Sequence, residues 1–289
     1  MGDKERQDAE LETVPSRIPF FAFEGMGGSG KSHIIRALEP EIAQAGFITA
    51  GYKISGMGTG ERTDWLRKIK EYRTHLISTG EASEKQMQDA RKDRIFMLGM
   101  RYQMRKIMTE IPERDNLQLI LLDRTPLMPW VYSISTDDSN PFLGDILRKG
   151  IDYAKQLHID TQYLFDISPE TAYARMIARI CTNLSRPEEV IERVCNQIGA
   201  PSDSADTIRA KTLHLLDGNH AIVPKSAEGY SFISFKTMIN ERKYFMQAAS
   251  ILNAECDTRL VVVNAELQPE EVTSTIYEDI KRRMVERAI

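Results

Sequence analysis

Cysteine is scarce in this chain: three residues in 289, at Cys181, Cys195 and Cys256. They are odd in number and far apart, and none stands in a Cys-x-x-Cys or Cys/His spacing, so neither a disulfide framework nor a zinc site is indicated. The five histidines are scattered and also lack metal spacing. Excess positive charge is missing too. Lys and Arg number 38 against 42 Asp and Glu, a formal net charge of −4. Bulk electrostatics therefore favour no polyanion, and nucleic-acid binding is not expected without a local basic patch. No run of eighteen apolar residues exists, so no membrane span is expected. The opening MGDKERQDAELETVPSR is charged and has no apolar core. It reads as a polar tail over residues 1–17 rather than a secretory signal, and a reduced, cytoplasmic protein is the expectation. Internal repeats and low-complexity linkers are absent as well.

What is present is a series of short apolar runs. IPFFAFEG (Ile18–Gly25), too short for a helix, reads as a buried strand, and FITAGYKIS (Phe47–Ser55), LQLILLD (Leu117–Asp123), TQYLFDI (Thr161–Ile167) and TRLVVVNAE (Thr258–Glu266) read as further strands. Helical patterns separate them. From Lys31 to Gln44 apolar residues recur at Ile34, Ile35, Leu38, Ile42 and Ala43, and Glu84–Ile111 reads as a long helix. Pro169-Glu170 and Pro269-Glu270 look like helix starts. Strands alternating with helices predict an α/β protein: a central five-stranded parallel sheet covered on both faces, in one domain over residues 18–289. Gly56–Glu61 reads as a flexible loop. Residues 196–241 are the least legible and are taken as an insertion. Trp65, Trp130 and the methionines between Met87 and Met108 read as packing residues, although Trp130 could also stack on a base.

The most informative stretch is Gly25-Met26-Gly27-Gly28-Ser29-Gly30-Lys31-Ser32, which fits G-x-x-x-x-G-K-[ST]. Glycines allow the backbone N–H groups of such a loop to close around phosphate oxygens. Lys31 would add a charge on the outer phosphates, and the Ser32 hydroxyl would ligate Mg²⁺. A strand ends just before the loop and a helix begins within it, so the helix N-terminus faces the anion. A nucleoside-triphosphate site for ATP and Mg²⁺ is therefore expected at Gly25, Gly27, Gly28, Ser29, Gly30, Lys31 and Ser32.

Two further clusters bear on the chemistry. Asp123-Arg124 follows the third apolar run, at the carboxyl edge of the sheet where open α/β folds bind ligands. An acid there can hold Mg²⁺ and an arginine can fork onto a phosphate, although an acid at a strand end also serves as a helix cap. Arg175 and Arg179 lie four apart on one helix, with Arg186 beyond it. Such arginines are either solvated surface or a lid, here about residues 175–200, that neutralises charge on a transferred phosphoryl group.

Taken in order, FEGMGGSGKS, LLDRTPLMPWVYS, FMLGMRYQM, YLFDISPETAYARMIAR and LSRPEE resemble the thymidylate kinase-like branch of the P-loop kinases, to which deoxynucleoside kinases are also related. The resemblance covers most of residues 18–195 and resumes at about 240–287. It implies phosphoryl transfer from ATP to a nucleoside monophosphate. Arg101 and Tyr132 would then meet the acceptor nucleotide and Arg124 clamp its phosphate, and a homodimer is implied. A deoxynucleoside kinase is the alternative, with Glu24 as base for a 5′-hydroxyl; an NTP-dependent switch without catalysis is a third reading. The chain also departs from the pattern. Gly27 and Gly28 stand where relatives carry an acid and an arginine, ISGMGTG replaces an Arg-Glu-Pro run, and Ser133 and Met100 replace a glutamine and an acid. An altered acceptor pocket is therefore expected.

Overall fold

A computed structural model describes residues 18–53, 107, 116–182, 184–218 and 234–288. Its elements are β1 (Phe20–Gly25), α1 (Lys31–Gln44), β2 (Thr49–Lys53), β3 (Leu119–Asp123), α2 (Met128–Thr136), α3 (Leu143–Leu157), β4 (Ile159–Asp166), α4 (Pro169–Cys181), α5 (Pro187–Gln197), α6 (Ser202–Asp217), α7 (Phe235–Cys256), β5 (Arg259–Asn264) and α8 (Pro269–Ala288). The five strands form one all-parallel sheet in the order β2-β3-β1-β4-β5. All five expected strands are present. The expected helix at Lys31 and the helix starts at Pro169 and Pro269 are found as well.

The inner apolar runs form strands that are buried on both sides, whereas the edge strand β5 is partly exposed, with Val262 at 50%. Every residue of β1 and of β3 is buried, the signature of a parallel sheet between two helical layers. Phe23 pairs in register with Tyr163, and their ring centroids lie 5.3 Å apart. The Tyr163 hydroxyl donates to Asp279 Oδ2 at 2.8 Å, which pins α8 over this face, and α1 packs against α8. On the opposite face α7 packs against α2, α3 and α4. Helices thus cover both faces, as in a three-layer α/β/α fold. Asp160 joins the two central strands: its Oδ2 accepts from the Phe20 N–H at 2.8 Å, and its other oxygen pairs with Arg287 near the end of α8.

The stretch that was hardest to read contains two long helices. Within residues 196–241, α6 packs along α4 and α5, and α7 begins at Phe235. Of the expected helix Glu84–Ile111, only the buried Ile107 is among the described residues. Trp65, the loop Gly56–Glu61 and the methionines between Met87 and Met108 lie outside them. No described helix is long and apolar enough to cross a membrane.

The Tyr163–Asp279 bond joins the sheet to α8 from a half-buried position. Tyr163→Phe keeps the packing and removes the bond, so stability should fall by about 1–2 kcal/mol in urea titration.

Candidate functional site

The carboxyl ends of β1 and β3 lie side by side, with Phe23 in register with Asp123. Between β1 and α1 the chain makes a tight loop in which Gly25, Gly28 and Gly30 have positive φ. Ser29 N–H donates to the Met26 carbonyl at 3.3 Å, and Gly30, at φ +87°, is the N-cap of α1. Lys31 is the first residue of the helix and is buried. The Ser32 hydroxyl reaches across to Asp123, Oγ to Oδ2, at 3.2 Å. The loop therefore offers an open helix N-terminus, a buried cation and a hydroxyl–carboxylate oxygen pair at one point.

The bareness of this loop has a steric cause. A Cβ on Gly28 would lie 2.3 Å from the Ala172 carbonyl oxygen, and one on Gly27 would lie 3.3 Å from Met176 Sδ. The first two turns of α4 thus fill the space that side chains at 27 and 28 would need. The position of α4 is itself fixed by polar contacts. Ser168 caps it, accepting from Thr171 N–H, and Glu266 accepts from both Ser168 and Thr171. Lys211 of α6 donates to Thr171 Oγ1 at 2.5 Å. Glu266 is held below its ordinary pKa, mainly by the Ser168 hydroxyl.

Glu24 lies behind the loop and is fully buried. Its Oε1 accepts from Arg124 Nη1 at 2.7 Å and from Gly25 N–H at 3.2 Å. Its Oε2 accepts from the Thr125 N–H at 2.9 Å and the Thr125 hydroxyl at 3.0 Å. Four accepted bonds occupy the carboxylate's lone-pair positions. Arg124 sits at φ +88°, a strained conformation for a side-chain-bearing residue, and its Nη1 also donates to the Gly25 carbonyl. Its guanidinium carbon is 5.7 Å from the ring centroids of both Tyr132 and Phe245, which themselves meet edge to face at 6.0 Å. Burial opposes the Arg124 charge, but Tyr132, Glu24 and Asp123 outweigh it and hold the group above its ordinary range. Burial pushes the half-buried Tyr132 phenol up.

The three helical arginines occupy different environments. Arg175 Nη1 donates to the Ala265 carbonyl, just past β5, at 2.9 Å, and burial lowers its pKa. Arg179 Nε is buried with no hydrogen-bond partner among the described residues. Arg186, before α5, is exposed and pairs with Glu189 at 2.9 Å. Trp130 is buried edge to face against Tyr244, which makes it a packing residue. Arg101 lies outside the described residues.

Helix α7 supplies what the sequence did not announce. Glu241 and Phe245, one turn apart, are both buried on this helix, and the Phe245 ring lies against Arg124. Glu241 is 1% exposed, and its Oε2 is buried without a hydrogen-bond partner among the described residues. Burial raises its pKa to about 7, against the opposing pull of Arg124 and Lys31. The next residue, Arg242, forks onto Asp166 at the end of β4, at 2.8 and 3.0 Å. A charged run such as INERKY reads as a solvated helix face, so only tertiary packing reveals that its glutamate points inward.

No protein-family model matches the chain, and no curated protein matches it. The fold and site together define an all-parallel α/β protein with a glycine loop and charged side chains at the carboxyl edge of its sheet.

Two outcomes follow. Gly28→Ala meets both a positive φ and a backbone oxygen, whereas Gly30→Ala meets only the positive φ, with no atom within 4 Å of the new Cβ. Denaturant titration should show a loss of about 1–2 kcal/mol for Gly30→Ala and a distinctly larger loss for Gly28→Ala. The second outcome concerns Glu241. Its pKa rises from 4.5 to about 7, so the folded state holds the proton more tightly across that window, and stability falls as pH rises through it. The loss should be on the order of 3 kcal/mol. Urea melts at about pH 4 and about pH 8, on either side of the window, should show this component in wild type and not in Glu241→Gln.

Proposed function

We propose that the chain is a Mg²⁺- and ATP-dependent phosphotransferase acting on a nucleoside monophosphate, thymidylate kinase-like with an altered acceptor pocket. The observation that carries this reading is the Ser32–Asp123 oxygen pair at 3.2 Å, beside the glycine loop and the buried Lys31. Hard oxygen donors of this kind suit Mg²⁺, which keeps waters and takes its other ligands from phosphates. No group of three or more His, Cys, Asp or Glu side chains that could hold a metal occurs among the described residues. An ion held by Ser32 and Asp123 would take its remaining ligands from waters and phosphates and would neutralise charge on the outer phosphates.

The chain's own residues then divide the work. Backbone N–H groups of residues 27–32 cradle the phosphates, and Lys31 places its charge on the outer ones. Arg124, fixed by Glu24 and flanked by two rings, is pre-positioned at the acceptor side, so little is lost in ordering it. The lid arginines Arg175, Arg179 and Arg186 would have to converge from their three environments to reach a transferred group. Glu24 bears on the choice of acceptor. Its oxygens already accept four bonds, so it is poorly placed to take a proton from a hydroxyl. A phosphate acceptor is already anionic and needs no strong base.

The experiment is Mg-ATP incubated with a panel of nucleosides and their 5′-monophosphates, read by ADP release and product mass. Transfer to a monophosphate is expected, with a loss of at least about 100-fold in Lys31→Ala. Transfer to nucleosides alone would establish a hydroxyl acceptor. ATP binding without transfer would identify a non-catalytic nucleotide switch.

A further inference from the structure

We propose that Glu241 is a phosphate-facing group of this site: a buried carboxyl that carries its proton when a nucleotide occupies the loop and donates it as a hydrogen bond to a phosphate oxygen. The proposal rests on the functional reading above and assigns that site a residue from a helix outside the glycine-loop and Asp-Arg motifs.

The argument starts from the acids. Three carboxyl groups lie at this centre: Glu24 bonded to Arg124, Asp123 bonded to Ser32 next to Lys31, and Glu241 one turn before Phe245, whose ring lies against Arg124. Glu24 is saturated by Arg124, Thr125 and Gly25, and Asp123 accepts from Ser32. Glu241 has neither commitment. It is buried, its Oε2 has no partner among the described residues, and it shares the inward face of α7 with Phe245, whose ring lies against Arg124. A buried polar atom without a partner is costly. Burial, opposed by Arg124 and Lys31 and aided by Glu24, raises its pKa to about 7.

The charges facing Glu241 come from every side. Arg124 beyond β3 and Lys31 at the start of α1 favour its carboxylate, while Glu24 of β1 disfavours it. Tyr132 of α2 flanks Arg124, and Asp166 of β4 is held by Arg242 of α7 itself. From α4, Arg175 is turned to the Ala265 carbonyl. On the α3 side, Lys155 pairs with Glu255 at the far end of α7. When phosphates enter, their negative charge offsets that of Lys31 and Arg124, and the cationic support for a Glu241 carboxylate is weakened. A carboxylate beside phosphate oxygens is repelled. A protonated carboxyl offers one O–H donor and becomes a ligand. The proton comes from solvent, and no bond is made or broken.

The test is calorimetry of Mg-ATP binding to the full chain at pH 7.5, in two buffers of different ionisation enthalpy. The heat difference counts protons taken up. Wild type should take up a substantial fraction of one proton, with about one half as a working figure, and Glu241→Gln should take up none of it. Mg-ATP affinity of wild type should weaken between pH 7 and pH 9 by up to about tenfold per unit, while the variant stays flat. Equal proton uptake in the two proteins would overturn the proposal and leave the functional reading standing. Absence of Mg-ATP binding to wild type would overturn both. Should Glu241→Gln fail to fold, the wild-type affinity profile decides alone: a flat profile from pH 6 to pH 9 overturns the assignment.

Discussion

The carboxylate of Glu24 ties the site together. It closes β1 onto the turn after β3 through a charged bond to Arg124 and two bonds to Thr125, all inside the protein. Removing either partner of such a buried pair leaves an uncompensated charge, a far larger penalty than the net value of the pair. The pair therefore specifies geometry more than it adds stability. It holds Arg124 in a backbone conformation the residue would otherwise avoid and sets the guanidinium between Tyr132 and Phe245. Because Asp123 precedes Arg124 directly, the same constraint brings the Asp123 carboxylate opposite Ser32. Loop, acid and arginine keep their spacing because one buried anion is satisfied in only one arrangement.

Around that centre the protein uses helices from both faces. From one face, α1 presents its N-terminus, Lys31 and Ser32. From the other, α4 fills the space above Gly27 and Gly28, and α7 brings Phe245 against Arg124 and buries Glu241 one turn before it. The glycine loop is thus a packing surface as well as a cradle. Its glycines have two separate reasons to be there: a left-handed backbone at Gly28 and Gly30, and the α4 backbone pressed against Gly28.

Much of this was legible in the residues. The five strands were plain because each is apolar and short, although only the inner ones are buried on both faces, and Pro169 and Pro269 marked helix starts that the structure contains. The loop and Asp123-Arg124 could be placed because each follows a plain strand, although an acid at a strand end has a second common use as a helix cap. Arg175 and Arg179 illustrate the limit: spacing puts both on one helix side, but only packing shows that Arg175 spends a donor on the Ala265 carbonyl. Glu241 was hidden altogether. Helical periodicity there is blurred, since charged residues flank a buried acid, and burial of a carboxyl is a tertiary decision with no local signature. Residues 196–241 were opaque for the same reason. Helix α6 buries only Ile208 and Thr212, too narrow a stripe to stand out from its polar neighbours.

The joint at Asp160 has a consequence for how the chain is made. Strand β1 lies in the middle of the sheet yet is synthesised before both of its neighbours, and its bond to Asp160 spans 140 residues. Its link to Arg124 spans 100. Until those partners leave the ribosome, the backbone of FFAFEG has an open edge on each side and four apolar side chains to hide. Such a segment is prone to pair with the wrong strand. The interval between translating β1 and β4 is therefore the vulnerable period in this protein's biogenesis, and the one in which chaperone protection would matter most.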